Sequence, residues 1–212
     1  MTDGIFESIS QRIGREETQE NRRIQEIADE LRRRCSVYEK EYGTSCSNVN
    51  IVLERKVTEE FASEFDLWLP VNQMLEIGEP GPSGNENDTY IKQEYIYKVN
   101  NLLNSQGSVI RLFDKVILHN TIFPETSYTF YKFTGFKGST IMPIFRQNFI
   151  KNSSPATQIE ITTYMAALGF DSTEKKGCYT NSKYKVWDVL PRNVLKDKDG
   201  DIFVIDAEIK LI

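Results

Sequence analysis

The chain has 212 residues, 39% hydrophobic and 27% charged, enough apolar material for a packed core, which excludes a disordered chain. Its net charge of -5 argues against nucleic acid as the main partner, because the arginines at 22–23 and 32–34 are interleaved with Glu and Asp and phosphate binding needs basic clusters. No basic leader and no run near the roughly eighteen apolar residues of a membrane helix occurs, and Cys35, Cys46 and Cys178 share no metal-ligand spacing, so a soluble, cytoplasmic protein of a reducing compartment is expected.

Residues 1–47 are expected to form a helical arm. Ile5, Phe6, Ile9 and Ile13 suit a short amphipathic helix. Ile24, Ile27, Leu31, Cys35 and Tyr38, at steps of three or four, lay one apolar stripe along a longer helix over 15–42, with Gly43 as its stop. This stripe either packs on its own domain, the reading favoured here, or serves self-association or a protein partner. Beyond residue 48 the texture changes. Val49, Ile51 and Leu53 alternate with polar residues as in a half-buried strand, and Thr58 suits the cap of a short helix from Glu59. Residues 74–77 read as a strand, followed by a loop holding Gly78, Gly81 and Gly84. Two short strands are predicted over 88–91 and 95–99, then a helix over 108–119 with Val109, Leu112, Phe113, Val116 and Ile117 as its apolar face. Strands over 128–133 and 140–145, a helix over 157–168 stopped by Gly169, and strands near 185–187, 194–195 and 202–205 complete an α+β class.

The acidic run Asp197-Lys198-Asp199-Gly200-Asp201 invites a calcium reading, since Asp197, Asp199, Asp201 and Glu208 fall at positions one, three, five and twelve of an EF-hand loop. Position six, however, is Ile202 where that loop needs glycine, and Pro191 interrupts the entering helix. An Asp-Gly hairpin between two strands is the better reading.

The sequence bracketing that hairpin is more informative. Asn193 follows Asp188 by five residues and Asp206 follows Asn193 by thirteen. Together with Tyr97-Lys98-Val99-Asn100-Asn101, Leu118-His119-Asn120-Thr121-Ile122-Phe123-Pro124, Val186-Trp187-Asp188-Val189-Leu190-Pro191-Arg192-Asn193 and Ile205-Asp206-Ala207-Glu208, this spacing resembles the protein-kinase superfamily. It is most similar to the compact kinase-like domains of polyvalent proteins from bacterial phages and conjugative elements. The resemblance covers about residues 65–212. It implies a minimal kinase-like domain over 48–212: an antiparallel N-lobe sheet with one helix over about 65–150, then a reduced C-lobe over about 151–212 that stops soon after the metal-binding Asp.

The roles it implies are specific. Asp188 would accept the proton of the attacking hydroxyl, Asn193 and Asp206 would hold magnesium against the phosphates of ATP, and Lys98 would clamp the α- and β-phosphates. Gly78, Gly81 and Gly84 would form the phosphate-covering loop, with Lys98 twenty residues after Gly78. Asp114 would supply the helix acid that pairs with Lys98, with Glu86 as a second choice. His119, the single histidine, reads as a structural hydrogen bonder. Trp187 stands where kinases carry an arginine and Leu190 where they often carry a lysine, whose charge Arg192 could supply. Ala207-Glu208 replaces Phe-Gly, and only six residues follow Asp206, so a platform for protein substrates is not expected from this sequence. The expected function is ATP- and magnesium-dependent phosphoryl transfer. The alternatives are a catalytically inactive nucleotide-binding module, or an interaction protein of a mobile genetic element.

Overall fold

A computed structural model describes residues 18–42 and 50–212 of the chain. The predicted helix over 5–13, the start of the long helix before residue 18 and its Gly43 stop lie outside them. Among the described residues no helix is long and apolar enough to cross a membrane. The chain forms two compact units. From Gln19 onward, one comprises Gln19–Ile117 and Tyr128–Phe149 and the other Leu118–Ser127 and Ile150–Ile212, so this stretch passes between them three times.

The first unit begins with helix α1 (Gln19–Tyr42). Its stripe is the predicted one: Ile24, Ile27, Ala28 and Leu31 are buried in the first hydrophobic core, with Cys35 and Tyr38 packed against it. Burial of each Ile or Leu side chain here contributes about 1.5–3 kcal/mol, which explains why the helix lies on this unit. Helix α2 (Ile51–Glu64) replaces the strand expected around 49–53. Its buried residues are Glu54, Val57, Thr58, Phe61 and Ala62, a spacing of three and four. Asn50, not Thr58, caps it, accepting the Leu53 N–H at 3.1 Å. Thr58 sits inside the helix and returns its hydroxyl to the Glu54 carbonyl at 2.7 Å. The strand expected over 74–77 is a 3₁₀ turn over Val71–Ile77, with Met74 and Ile77 buried one turn apart.

A five-stranded antiparallel sheet follows, made of β1 (Glu79–Pro80), β2 (Asn87–Lys92), β3 (Tyr95–Asn100), β4 (Thr129–Phe136) and β5 (Thr140–Asn148), in the order β1-β2-β3-β5-β4. Helix α3 (Val109–Ile122) is inserted between β3 and β4. Phe113 of α3 holds its ring 5.3 to 6.1 Å from those of Phe130, Phe133 and Phe145 and so ties helix to sheet. The start of α3 is anchored from outside itself. Glu54 of α2, 2% exposed, accepts the Ser108 hydroxyl at 2.9 Å and the Ile110 N–H at 3.1 Å. A carboxylate at a helix N-terminus meets both unsatisfied amides and the positive end of the dipole.

The second unit carries β6 (Ser154–Pro155), α4 (Gln158–Ala167), β7 (Asp171–Ser172), β8 (Tyr179–Thr180), β9 (Tyr184–Trp187), β10 (Val194–Lys196), β11 (Ile202–Val204) and β12 (Glu208–Leu211). Its strands form two small sheets, ordered β11-β10-β6 and β12-β9-β8-β7. Their apolar faces meet Ile161 and Met165 of α4 in one core with Val186, Val189, Val194 and Val204. Thr157 and Glu160 make a reciprocal capping box at the start of α4. Glu160 also takes the Lys196 ammonium at 2.6 Å, fastening α4 to β10. The acidic run is the turn of the β10/β11 hairpin, as expected, with Asp197 accepting the N–H groups of Asp199 and Asp201 at 2.9 and 3.0 Å.

Candidate active site

Two strand pairings in the second unit place the predicted polar residues. Trp187 faces Glu208 across β9/β12, and Val194 faces Val204 across β10/β11. The segment 188–193 joins the first members of these pairs, and the segment 205–207 joins the second. One step past Trp187 and Glu208 lie Asp188 and Ala207. One step before Val194 lies Asn193, whose carbonyl accepts the Ile205 N–H at 2.9 Å. Asp206 is therefore held between two residues whose neighbours are fixed by hydrogen-bonded ladders. Segments separated by five and thirteen residues run beside one another because both are short and both ends are pinned.

Within it the Asn193 Nδ2 donates to both the carbonyl oxygen and the Oδ2 of Asp188, each at 2.8 Å. A carboxylate only accepts, so the amide must present its nitrogen on this side. The Asn193 Oδ1 is then the amide atom not used toward Asp188. Asp188 has φ +62°, the left-handed region, which Asp tolerates better than most side chains. The Arg192 guanidinium meets the other carboxylate oxygen of Asp188. Arg192 and Asn193 stand on a 3₁₀ turn, Pro191–Asn193, and Pro191 at its first position fixes the entry. Asp206 is half-buried, and its carboxylate makes no hydrogen bond or ion pair among the described residues.

No group of three His, Cys, Asp or Glu able to hold a metal occurs among the described residues. That pattern does not fit a zinc or calcium cage. Magnesium needs no such cage, since it takes one or two protein oxygens and completes its shell with phosphates and water; Asp206 and the Asn193 Oδ1 are oxygens of the kind it takes. A cavity of about 420 Å³ in the same unit is lined by Ile122, Tyr164, Leu168, Ile202, Phe203 and neighbours but by none of these three polar residues, so the chemistry is located by the side chains and not by that hollow.

The upstream residues lie in the first unit. Lys98 is on β3 opposite Thr89 and Phe145 and is 7% exposed. Its Nζ donates to the Tyr128 hydroxyl at 3.2 Å and lies 5.0 Å from the ring centroid, an approach toward the oxygen edge of the ring. Asp114 has a different partner from the expected Lys98: its carboxylate receives the Arg32 guanidinium of α1. Burial works against the Arg32 charge, but bonds to Asp114 and then Asp29 raise its pKa above the ordinary value.

The glycines have local reasons. Gly78 has φ +148°, and a Cβ there would stand 2.6 Å from the Ile91 carbonyl oxygen. At Gly81 a Cβ would meet the Thr89 hydroxyl at 2.6 Å, whereas space around Gly84 is open. The amides of Gly81 and Gly84 donate to the carbonyls of Thr89 and Asn87 at 2.8 and 2.9 Å, and Pro80 and Pro82 have no N–H. These two glycine amides shape the loop, instead of pointing outward as a phosphate cradle would require. His119 is buried, its Nε2 3.2 Å from the Thr126 hydroxyl, which in turn bonds the Val204 carbonyl at 2.6 Å. A hydroxyl already donating to Val204 accepts from the imidazole, the structural role expected of this histidine.

Sequence reasoning gave no role to Asn100 and Asn101. Asn100 bonds Glu86 and Asn87, and Asn101 bonds the Asn85 carbonyl, so together they fasten the end of the glycine loop to the end of β3. Two adjacent amides at the end of a buried strand were the available signal.

A family model described as Serine/Threonine/Tyrosine Kinase found in polyvalent proteins matches residues 53–212, well over half of the chain. No curated protein matches the chain.

Proposed function

The chain belongs to the family of serine/threonine/tyrosine kinases found in polyvalent proteins, and from that premise we propose that it is an ATP- and magnesium-dependent phosphotransferase. The observation that carries this reading is the Asn193 amide bonded to Asp188 while its backbone bonds Ile205, the residue before Asp206. The sheet order supports the reading as well. Gly81 and Gly84 lie between the first and second strands and Lys98 on the third, the order of loop and strand lysine in kinases.

In this reading Asp188 accepts the proton of the acceptor hydroxyl, and Asn193 orients its carboxylate through Oδ2. Asn193 and Asp206 hold magnesium, which when bound neutralises charge on the phosphate oxygens. Lys98 contacts the phosphates. Arg192 adds a positive charge beside Asp188, in place of the lysine that Leu190 replaces.

The test is thermal unfolding with and without magnesium-ATP, for the wild type and Asp206→Ala. Ligand at a hundred times its dissociation constant adds about 2.7 kcal/mol. A magnesium-dependent rise in the wild type that is lost in Asp206→Ala is the expected result; no rise at millimolar nucleotide refutes the assignment. The second reading, a nucleotide-binding module without turnover, draws on the Arg192 guanidinium already engaging the Asp188 carboxylate. It predicts the same thermal shift without release of phosphate from ATP, so a phosphate-release assay on the same samples separates the two.

A further inference from the structure

Glu86 stands at the end of the glycine loop, one residue before β2, and is buried. Its Oε1 accepts the Asn100 amide at 3.1 Å and its Oε2 the Asn104 amide at 2.8 Å. The Lys115 ammonium of α3 lies 3.6 Å from the same Oε2, with side-chain exposures of only 14% and 10% for Lys115 and Glu86. The backbone is stitched at the same place. The Glu86 carbonyl accepts the Asn101 N–H at 2.9 Å, and Asn87 faces Asn100 across the β2/β3 ladder. Asn100 also accepts the Leu102 N–H at 2.8 Å, which fixes how the chain leaves β3 toward α3. Lys98 precedes Asn100 by two residues on the same strand, so both point to one face of the sheet. Loop, lysine strand and helix thus meet at a single buried carboxylate.

Burying an ion pair is a poor route to stability, because desolvation of both charges consumes most of their attraction, whereas an aliphatic pair would pack at no such cost. A pair of this kind does fix one relative placement of the elements it joins. The helix acid expected to reach Lys98, Asp114, is turned to Arg32, while the next residue on α3 reaches the loop. We propose that Glu86 and Lys115 are positioning residues of the nucleotide site, a charge-reversed coupling in which a helix cation and a loop acid set the glycine loop against the Lys98 strand. This rests on the nucleotide-binding reading above. The role is to hold the loop before β2 and the strand that carries Lys98 in register; neither side chain touches the nucleotide.

The coupling is tested by titration calorimetry of the full chain with magnesium-ATP and, separately, with adenosine. The variants are Glu86→Gln, Lys115→Met, their combination and Lys115→Arg. Glu86→Gln and Lys115→Met are each expected to weaken magnesium-ATP about tenfold or more, within the usual range of coupling energies, and to leave adenosine within about twofold. The combined variant is expected to lose no more than the worse single one, because both remove the same interaction. Lys115→Arg keeps the charge and should retain near wild-type affinity. A merely structural pair would lower adenosine and ATP affinity alike, or lower only the unfolding temperature, and either result overturns the proposal. Should Glu86→Gln fail to fold, the contrast between Lys115→Met and Lys115→Arg decides. A wild type that binds no magnesium-ATP refutes the nucleotide reading and this inference together; magnesium-dependent binding lost in Asp206→Ala but unchanged in Glu86→Gln and Lys115→Met refutes the inference alone.

Discussion

Replacing Leu31 by alanine tests whether α1 is part of the first core or an appendage resting on it. Leu31 is fully buried, beside Ile24, Ile27, Ala28, Phe61 and Phe113 in one cluster. Leu→Ala in such a setting loses the transfer free energy of the removed atoms and leaves a cavity, together about 2–5 kcal/mol. With the rings of Phe61 and Phe113 in the same cluster to resist collapse into the gap, about 3 kcal/mol is expected. For a unit of this size that corresponds to an unfolding temperature lower by roughly 10 °C, or a urea midpoint lower by about 1.5 M. The two tryptophans make the assay specific. Trp68 packs against the first core and Trp187 lies on β9 in the second unit, so fluorescence in a Trp187→Phe background follows the first unit alone. Glu26→Ala, exposed on the same helix, is the control and should stay within about 0.5 kcal/mol. If Leu31→Ala also stays within that margin, the helix does not complete this core, and the assignment of α1 to the unit is wrong.

Three further outcomes follow from local chemistry. The Lys196 ammonium, with the Thr157 backbone and hydroxyl, holds the Glu160 carboxyl down to about 2 from an ordinary 4.5. Because the folded value is the lower one, this stabilisation is complete above about pH 4.5 and is lost as pH falls toward 2; Glu160→Gln should therefore unfold more easily than the wild type at pH 6 and equally easily near pH 2, as followed by circular dichroism. Burial, then the nearby Glu54 and Glu39 charges, pushes the Cys35 thiol up to about 11 from 9.0, so at pH 8 peptide mapping should find it alkylated about a hundredfold more slowly in the native chain than in urea. Gly78→Ala, with φ +148° and a carbonyl oxygen 2.6 Å from the new Cβ, should lower the unfolding temperature clearly, whereas Gly84→Ala, with open space around it, should leave it nearly unchanged.

The turn and hairpin that carry Asp188, Asn193 and Asp206 were legible because their geometry is local. Asp188, Asn193 and Asp206 are separated by one turn and one hairpin, and the hairpin announces itself by Asp-Gly between apolar runs. The β2/β3 pair and α3 were legible for the same reason, since the two strands flank one tight turn and the helical spacing of α3 is not interrupted. α2 was misread because its inward face begins with a charge. With Glu54 counted as polar, Ile51 and Leu53 look like strand alternation; with Glu54 counted as buried, residues 54, 57, 58, 61 and 62 form a helical stripe. Only the cap it gives to α3, fifty-six residues on at Ile110, shows why a glutamate is buried there. Asp114 was misassigned because its partner, Arg32, lies eighty-two residues earlier, and no spacing rule reaches that far. The 3₁₀ turn over Val71–Ile77 hides its period of three in too short a run.

The left-handed backbone at Asp188 bears on how an inert form of this protein should be made. Alanine at that position would remove the carboxylate and also favour relaxation of φ out of the left-handed region, so a loss of turnover would mix missing chemistry with a shifted loop. Asparagine tolerates that backbone and keeps an oxygen for the Asn193 amide. Under the role proposed for Asp188, Asp188→Asn is therefore the form in which to trap an acceptor beside unreacted nucleotide, and the bait with which to search for that acceptor.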